Sequence, residues 1–367
     1  MSTERFDTVI VGGGQAGLAT GYFLGKKGRS YVALDAHERI GDAWRKRWDS
    51  LRLFTPAHFS RLPGMRIPGA KNWDFVTKDA MADYLESYAT RFGIPVRTGH
   101  RVDRVSREGE RFVVTAGDRR FEADNVVIAA GGYNLPNLPP FAGDLDPGIV
   151  QIHSGAYRSP SQLRPGRVLV VGAGNSGAEI AFEVIQTHET TLAGKVPGQI
   201  PFPHGSLPFR FGFRVLRFAG HRVITRGWPV GRKMAAKMLA KADPLIRRRV
   251  KDLDRAGIVR VGRVAGVENG MPVLEDGRVV EVENVIWCTG FGYDFSWIDL
   301  PVFGEDGVPV HDRGVVATEP GLYFVGLIFQ HSFSSEALPN RGRDARYIAE
   351  RIAAGRSTAR SSEKVPA

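Results

Sequence analysis

Short apolar runs alternate along the chain with glycine turns and helix-forming stretches, and the first unit shows this pattern in full. Residues 8–11 predict a buried strand, residues 18–27 a helix that Gly28 ends, and residues 31–34 a second strand that is followed by Asp35. The loop between the first strand and the helix has the sequence GGGQAG. This order of strand, glycine turn, helix, strand and acidic residue is typical of a dinucleotide-binding βαβ unit.

Each residue of that fingerprint has a physical task. Gly12 allows the tight turn, Gly14 lets a pyrophosphate approach the backbone, and Gly17 lets the helix pack closely on the strand. The helix amino terminus attracts the phosphates, and Asp35 accepts a hydrogen bond from an adenosine ribose. A glycine turn without a ligand is the alternative. The strand before the loop and the acid after the next strand favour nucleotide binding.

The same pattern recurs in the second half of the chain and indicates an internal duplication. Residues 168–171 predict a strand, the loop 172–177 has the sequence GAGNSG, and a helix then leads to a strand near 190–192. A further match pairs EADNVVIAAG, which ends at Gly131, with EVENVIWCTG, which ends at Gly290. These two glycines follow the first glycine of their respective loops at nearly equal distances.

Each copy of this match follows a stretch in which apolar and polar residues alternate around a turn. The first stretch comprises residues 112–115 with a turn at 117–118, and the second comprises residues 273–274 with a turn at 276–277. We therefore predict an α/β protein with two Rossmann-like dinucleotide-binding domains, each carrying an antiparallel β-meander.

The two units differ at the place that Asp35 occupies in the first. No carboxylate ends the second strand, which leads through residues 190–193 to a glycine and Lys195. Counting from the first glycine puts Lys195 at the acid's position, whereas aligning the strand ends puts Ala193 there. A missing acid beside a cation suits a ribose that carries a 2′-phosphate, so we predict FAD in the first site and NADPH in the second. The alternative is that Lys195 is a solvated loop lysine and NADH is tolerated.

No third glycine fingerprint follows, so the last part of the chain is expected to return to the first domain. Residues 322–325 predict a strand and residues 343–352 an amphipathic helix. The NADPH domain is then an insertion in the FAD domain, joined through the proline-rich segments 135–140 and 159–165. The predicted parts are residues 1–160 and 286–355 for the FAD-binding domain, 165–285 for the NADPH-binding domain, and 356–367 for a disordered tail.

Composition restricts the chemistry further. The 367 residues are 43% hydrophobic and 24% charged, which is ordinary globular usage and enough chain for about two domains. Cys288 is the only cysteine, which excludes an internal disulfide, a CxxC dithiol relay and a multi-cysteine metal site, and fits a reducing cytoplasm. We predict no metal site. The beginning of the chain is charged and soon interrupted by glycines, so we expect no signal peptide. The chain has no long apolar stretch, so we expect no membrane span.

Four further sequence stretches resemble a known enzyme family. These are GDAW at 41–44, WDSLRLFTP at 48–56, CTGF at 288–291 and GLYFVG at 321–326. Together with the two glycine loops they make the chain similar to bacterial flavin-containing monooxygenases and, more distantly, to plant auxin-forming and Baeyer–Villiger monooxygenases.

The resemblance implies which residues hold the two cofactors. FAD is expected at the first loop, at Asp35 and near Trp44 and Thr55, with NADPH around the second loop. The residues expected to bind cofactor are Gly12, Gly14, Gln15, Ala16, Gly17, Asp35, Trp44, Thr55, Val102, Ala130, Gly131, Gly172, Gly174, Asn175, Ser176, Gly177, Lys195, Thr289 and Gly290. Asn175 is also able to cap its helix instead of binding NADPH.

The resemblance also implies a reaction. NADPH reduces FAD, O2 reacts at flavin C4a, and the hydroperoxide transfers one oxygen atom to nitrogen, sulfur or a carbonyl of a small lipophilic substrate. The family signature FxGxxxHxxx(F/Y/W) is only half present, around His153 and Tyr157. We favour His153 as a linker histidine packed between the domains over an acid–base catalyst, and we assign no catalytic residue. An NADPH oxidoreductase or oxidase with another acceptor, and a regulatory flavoprotein, are the alternatives.

A basic, aromatic segment spans residues 207–251, within a chain of net charge +11. Arginine and phenylalanine alternate over residues 209–218, and Lys233, Lys237 and Lys241 follow. A solvated basic face, weak peripheral contact with anionic lipid, and an acidic or nucleic-acid partner remain open as interpretations. No recognition motif accompanies the charge, so we expect no nucleic acid. The expected partners are the substrate and O2, and a homodimer stays open.

Overall fold

The computed structural model describes residues 3–132, 135–229, 231, 243–332, 335 and 338–362. Its strands are β1 (Thr3–Val11), β2 (Tyr31–Leu34), β3 (Val96–Arg97), β4 (Arg104–Glu108), β5 (Arg111–Ala116), β6 (Arg119–Ile128), β7 (Leu135–Pro136), β8 (Val150–His153), β9 (Val168–Val171), β10 (Thr190–Ala193), β11 (Val259–Val261), β12 (Val264–Glu268), β13 (Met271–Leu274), β14 (Asn284–Trp287), β15 (Phe291–Gly292) and β16 (Leu322–Phe324). Its helices are α1 (Gln15–Lys26), α2 (Asp42–Arg45), α3 (Ala57–Ser60), α4 (Lys78–Arg91), α5 (Asn175–Val184), α6 (Leu207–Arg222), α7 (Val250–Arg255) and α8 (Leu338–Ser362).

The first sheet has the order β3-β2-β1-β6-β5-β4, and β16 also pairs with β6. Strands β2, β1, β6 and β16 are parallel, whereas β4, β5 and β6 form the predicted antiparallel meander. Because β6 is ten residues long, its first half pairs with β5 and its last three residues pair with β16 on the same edge. The predicted return of residues 322–325 to the first domain is confirmed.

The second sheet has the order β11-β10-β9-β14-β8, and all of its pairs are parallel. It repeats the central order of the first sheet, with β9, β10, β11 and β14 in the places of β1, β2, β3 and β6. The α/β class with two dinucleotide-binding units is therefore confirmed.

The second meander is smaller than predicted. Strands β12 and β13 form a separate two-stranded sheet, and only a bridge between Val273 and Val279 continues it. The physical reason is the length of β14, which has four residues and pairs along all of them with β9 on one side and β8 on the other. No edge of β14 is left for an antiparallel neighbour.

Two predicted boundaries also differ from the structure. The chain enters the second sheet at β8, before the predicted boundary at residues 160–165, because the partner of β8 lies about 130 residues later and local patterning cannot reveal such a pair. Helix α8 extends through Ser362, so residues 356–362 of the predicted disordered tail are helical. A helix that is already formed adds residues at little cost.

Apolar clusters cover both faces of each sheet. Helix α8 packs against α1 of the first domain. Arg29, in the turn after α1, ties α8 to β1. Its guanidinium pairs with Asp7 at 3.0 Å and donates to the carbonyls of Ile352 and Ala353 at 2.8 Å. Among the described residues, no helix is long and apolar enough to cross a bilayer.

Candidate nucleotide-binding sites

The first glycine loop has the backbone geometry that its sequence predicts. Gly12 has φ +110°, and a Cβ there would lie 2.5 Å from the carbonyl oxygen of Ala129. A Cβ on Gly17 would overlap the carbonyl oxygen of Gly12, whereas a Cβ on Gly14 would meet nothing within 4 Å. Two glycines are thus needed for the turn and for helix packing, and the third borders open space into which a pyrophosphate fits.

The amino terminus of α1 faces the same space. Gly14 is the residue before the helix and has no side chain to cap it, and no acidic residue lies in the first turn. Gln15 and Ala16 begin the helix and are buried. The positive end of the helix dipole suits an anion, so these residues fit the phosphates of a dinucleotide.

Asp35 is held against this loop. Its Oδ2 accepts a hydrogen bond from the Gly13 N–H at 2.7 Å, and its Oδ1 accepts one from the His37 N–H at 2.8 Å. An ionised carboxylate has about four acceptor positions, so two backbone bonds leave capacity for a ribose hydroxyl. The half-buried position beside the loop matches the predicted role.

The carboxyl ends of β6 and β16 form a hollow next to the loop. It is lined by Ile128, Ala130, Gly131, Phe295, Val325, Gly326 and Leu327. The hollow includes Ala130 and Gly131, which were predicted to bind cofactor. Its other wall, formed by Phe295, Val325, Gly326 and Leu327, was not predicted. A Cβ on Gly326 would lie 3.3 Å from the Cβ of Ala16, so the last strand of the sheet meets the first glycine loop. The glycine of the GLYFVG stretch was the available signal.

The remaining residues predicted for FAD lie on different elements. Thr55 is buried, and its hydroxyl is 2.8 Å from that of Ser60. Trp44, on α2, packs against the apolar cluster under α1 and α4, whereas Val102 packs against the cluster on the opposite face of the sheet. The structure therefore joins Trp44 with the α1 side of the sheet and separates it from Val102.

The second loop repeats the first in detail. Gly172 has φ +109°, and a Cβ there would overlap the carbonyl oxygen of Cys288, which takes the place of Ala129. A Cβ on Gly177 would overlap the carbonyl oxygen of Gly172. Gly174 precedes α5, with no side-chain cap and no acid in the first turn. This loop fits a second dinucleotide for the same reasons as the first.

Neither sequence alignment located the residue that replaces the acid. The Gly172 N–H donates to the Ala193 carbonyl at 2.8 Å, just as the Gly12 N–H donates to the Leu34 carbonyl at 2.7 Å. The residue equivalent to Asp35 is therefore Gly194, between Ala193 and Lys195. Counting misses it because the second unit is one residue shorter between its loop and its strand end. The predicted lack of a carboxylate at this position is therefore correct. Lys195, the residue after Gly194, is exposed.

Asn175 does not cap its helix. Its amide nitrogen donates to the Pro244 carbonyl at 3.1 Å, and its amide oxygen accepts from the Ile246 N–H at 2.9 Å. Asn175 is the first residue of α5 rather than the one before it, so its side chain reaches outward to the neighbouring segment. Ser176 follows it and is half-buried. The capping alternative is wrong, and Asn175 fastens residues 244–246 to the loop.

Thr289 and Gly290 contact the linker between the domains. The Thr289 hydroxyl donates to the Asn137 carbonyl, and the Asn137 N–H donates to the Gly290 carbonyl at 3.1 Å. The short strands β7 and β15 pair beside them. These two residues thus join the end of the second sheet to the linker.

His153 is held as a neutral imidazole at the same crossing. The Gly155 N–H donates to its Nδ1 at 3.1 Å, which leaves the proton on Nε2, and Nε2 donates to the Gly290 carbonyl at 3.0 Å. Its ring meets Phe291 edge to face at 4.9 Å. Burial lowers the pKa of His153, and Arg47 lowers it further, although the bond to Gly290 opposes them. These contacts agree with a linker histidine.

Cys288 lies beneath the second loop and offers no redox chemistry with a partner thiol. A Cβ on Gly177 would be 3.4 Å from the Cys288 Cβ, which shows how closely the two residues pack. Burial raises the pKa of its thiol, so the reactive thiolate is disfavoured.

Comparison with known proteins agrees with this geometry. The family described as pyridine nucleotide-disulphide oxidoreductase matches residues 9–197. The chain is 37% identical to the uncharacterized oxidoreductase CzcO-like of Geobacillus kaustophilus, over 93% of this chain and 97% of that protein. It is 28% identical to the probable indole-3-pyruvate monooxygenase YUCCA3 of Arabidopsis thaliana, over 94% and 86%. Its structure matches the flavin-containing monooxygenase of Stenotrophomonas maltophilia with a TM-score of 0.78 and 30% identity, over 96% and 99%.

Proposed function

The chain belongs to the pyridine nucleotide-disulphide oxidoreductase family, among its flavin monooxygenase members, and we propose that it is an NADPH-dependent monooxygenase that acts on a small lipophilic substrate. Members of this family use FAD and NADPH. In the proposed reaction one atom of O2 enters the substrate at nitrogen, sulfur or a carbonyl, and the other leaves as water. The two complete glycine loops, of which only the first is followed by an acid, carry the cofactor part of the proposal. The similarity to flavin monooxygenases carries the oxygenation part.

The chain supplies binding and orientation, and FAD, when bound, supplies the acceptance of hydride from NADPH and the activation of O2. The first loop and the amino terminus of α1 would hold the FAD pyrophosphate, with Asp35 on the adenosine ribose. The second loop and the amino terminus of α5 would hold NADPH. Lys195 would pair with the 2′-phosphate, and Gly194, which has no carboxylate, would not repel it.

Several side-chain contacts join the two domains at the crossing between them. His153 bonds to Gly290, its ring packs on Phe291, and the Arg47 guanidinium from the first domain lies 5.3 Å from the centre of the Phe291 ring. These contacts fasten β8 and β15 to the α2 region. Because hydride transfer requires close approach of two bound cofactors, a firmly packed crossing supports the proposed reaction.

The deciding experiment follows the flavin through one catalytic cycle. The purified holoenzyme is reduced with NADPH without oxygen, mixed with O2, and screened against sulfides, amines and ketones. We expect an absorbing species that is neither oxidised nor reduced flavin while NADP+ is present, and an oxygenated product. Direct return to oxidised flavin with one hydrogen peroxide per NADPH, unchanged by every substrate, would favour an oxidase or a regulatory flavoprotein instead.

Location and assembly belong to the same proposal. We place the enzyme in the reducing cytoplasm on the evidence of its single cysteine. The homodimer, which the sequence leaves open, is tested directly by sedimentation velocity of the holoenzyme. A sedimentation coefficient of a 40.3 kDa monomer at all concentrations would contradict it.

A further inference from the structure

Helix α6 presents a row of large apolar side chains to solvent. Leu207, Phe211, Val215 and Phe218 are 76, 70, 51 and 62% exposed. Their spacing of four, four and three residues places all of them on one face of the helix. Trp228, a few residues after the helix, is 61% exposed. Large apolar side chains in an uninterrupted stripe of this kind mark an interaction surface.

The opposite face already attaches α6 to the body of the protein. Phe209 is buried, and its ring lies 5.5 Å from that of Phe213. Phe213 in turn lies 5.0 Å from Phe59 of the first domain. The packing of the helix therefore does not need the exposed stripe, which we name the α6 stripe (Leu207, Phe211, Val215 and Phe218).

A row of arginines runs beside the α6 stripe. The guanidinium groups of Arg210 and Arg214 lie 5.4 and 5.3 Å from the centre of the Trp73 ring, and that of Arg217 lies 5.1 Å from Phe59. Arg214 and Arg217 are exposed and Arg210 is half-buried, so the alkyl chains cover the aromatic rings while charge remains at the surface. Apolar side chains and cations are thus adjacent along the whole helix.

The charge of the chain is concentrated in this region. Residues 207–251 contain thirteen Lys and Arg and a single acid, Asp243, a net charge of +12. The rest of the chain therefore has a net charge of −1, because the total is +11. Arg232, Lys233, Lys237 and Lys241 lie outside the described residues and contribute to this count by sequence alone. A partner of this face must accept both apolar side chains and many positive charges.

We infer that α6 binds an anionic lipid surface, with the α6 stripe at the boundary of the acyl chains and the arginines among the headgroups. An amphipathic helix with Phe and Leu on one side and Arg on the other is the usual form of such a contact. Nucleic acid would use the cations but leave the stripe in water. Anionic headgroups and acyl chains together satisfy both parts of the surface.

The inferred contact gives the proposed function a source of substrate, and this part of the inference rests on that function. An open cavity of about 660 Å³ has Trp73, Phe75, His204, Arg52 and Arg247 among its lining residues. Trp73 is the ring on which Arg210 and Arg214 lie. The cavity therefore borders the helix that meets the bilayer, where lipophilic compounds accumulate.

The test is flotation of the full-length holoenzyme with vesicles of phosphatidylcholine alone and of equal parts phosphatidylcholine and phosphatidylserine. We expect flotation with the anionic vesicles only, weakened by added salt. The double variant Phe211→Ser/Phe218→Ser should lower partitioning at least tenfold, and Leu207→Ser/Val215→Ser should act in the same direction. The matched control is Val308→Ser/Val310→Ser, which changes two exposed valines outside the segment and should float like the wild type.

Three results would overturn the inference. The first is that the wild type does not float with anionic vesicles. The second is that both stripe variants float with anionic vesicles to the same extent as the wild type. The third is a stable dimer or a nucleic-acid complex that the stripe variants abolish while vesicle binding is absent. NADPH oxidation without vesicles should be the same in the wild type and the stripe variants, so loss of lipid binding is distinguishable from loss of the proposed enzyme activity.

Discussion

Gly194 occupies in the second nucleotide-binding unit the position that Asp35 occupies in the first. The equivalent backbone bonds, from Gly12 to Leu34 and from Gly172 to Ala193, establish the correspondence. Gly194 has φ +129°, and its would-be Cβ lies 3.2 Å from the Ala173 N, so a side chain is disfavoured there. The second unit consequently has no carboxylate to repel a 2′-phosphate, and the exposed Lys195 follows directly.

The first prediction concerns the choice of nicotinamide cofactor. Lys195→Ala should lower kcat/KM for NADPH by about tenfold and leave that for NADH within about twofold, because only NADPH carries the phosphate that pairs with the ammonium group. Steady-state kinetics with both cofactors measure this. Lys71→Ala, an exposed lysine in the first domain, is the control. Equal loss with both cofactors would show that Lys195 does not recognise the phosphate.

The second prediction separates two glycines of one loop. Gly14→Ala should leave the free energy of unfolding of the apoprotein nearly unchanged, because its Cβ meets open space, but should weaken FAD binding by more than about tenfold. Gly17→Ala should destabilise the apoprotein by about 3 kcal/mol, because its Cβ overlaps the Gly12 carbonyl. Urea unfolding and FAD titration give the two quantities. Identical behaviour of both variants would refute the assignment of the open space to pyrophosphate.

The third prediction concerns Asp35 itself. Asp35→Ala should weaken FAD binding by about 10- to 100-fold, because it removes an ionised acceptor that orients the loop and bonds the ribose. The ratio of bound flavin to protein after gel filtration reports the loss. Asp118→Ala changes an acid whose side chain is 93% exposed and should keep full flavin content. Full flavin content in both variants would contradict the assignment.

The fourth prediction concerns the crossing between the domains. His153→Gln should lower the free energy of unfolding by about 1–3 kcal/mol, because the imidazole bonds at both ring nitrogens and is buried. The pH profile of kcat should keep the wild-type shape, since the lowered pKa of His153 keeps the ring neutral in the wild type near neutral pH. Loss of one limb of the profile would instead identify His153 as an acid–base group.

The fifth prediction is a pH dependence of stability. Burial, helped by Arg226 and opposed by Asp312, lowers the pKa of His311 from 6.5 to about 4, and its Nδ1 accepts from the Gly314 N–H. Below pH 6.5 the unfolded chain binds a proton that the folded chain rejects. Stability is therefore complete above pH 6.5 and should fall by about 2–3 kcal/mol towards pH 4.

The variant His311→Asn isolates this contribution, because its amide oxygen keeps an acceptor for Gly314 but does not titrate. Urea unfolding at pH 7 and pH 4.5 should show a smaller difference for the variant than for the wild type. An equal difference in both proteins would assign the acid sensitivity to other groups.

Local sterics explain why both glycine loops were predictable. The overlaps that require Gly17 and Gly177 are with the carbonyl group five residues earlier in the same loop. Gly12 and Gly172 are required by their own positive φ angles. Such demands act at short range along the chain and leave a repeated spacing in the sequence. The second sheet repeats the central strand order of the first, in agreement with this sequence repeat.

Contacts between distant segments could not be predicted from the repeated spacing. Gly326 meets Ala16, Asn175 binds residues 244–246, and β8 pairs with β14, although each pair is separated by about 70 to 310 residues. The exposure of the α6 stripe also depends on what α6 packs against, since alternating Arg and Phe fit a buried or an exposed face equally well. Composition and spacing thus sufficed for the two nucleotide loops and their cofactors, whereas the walls of the site and the lipid-facing helix depend on contacts that only the folded chain creates.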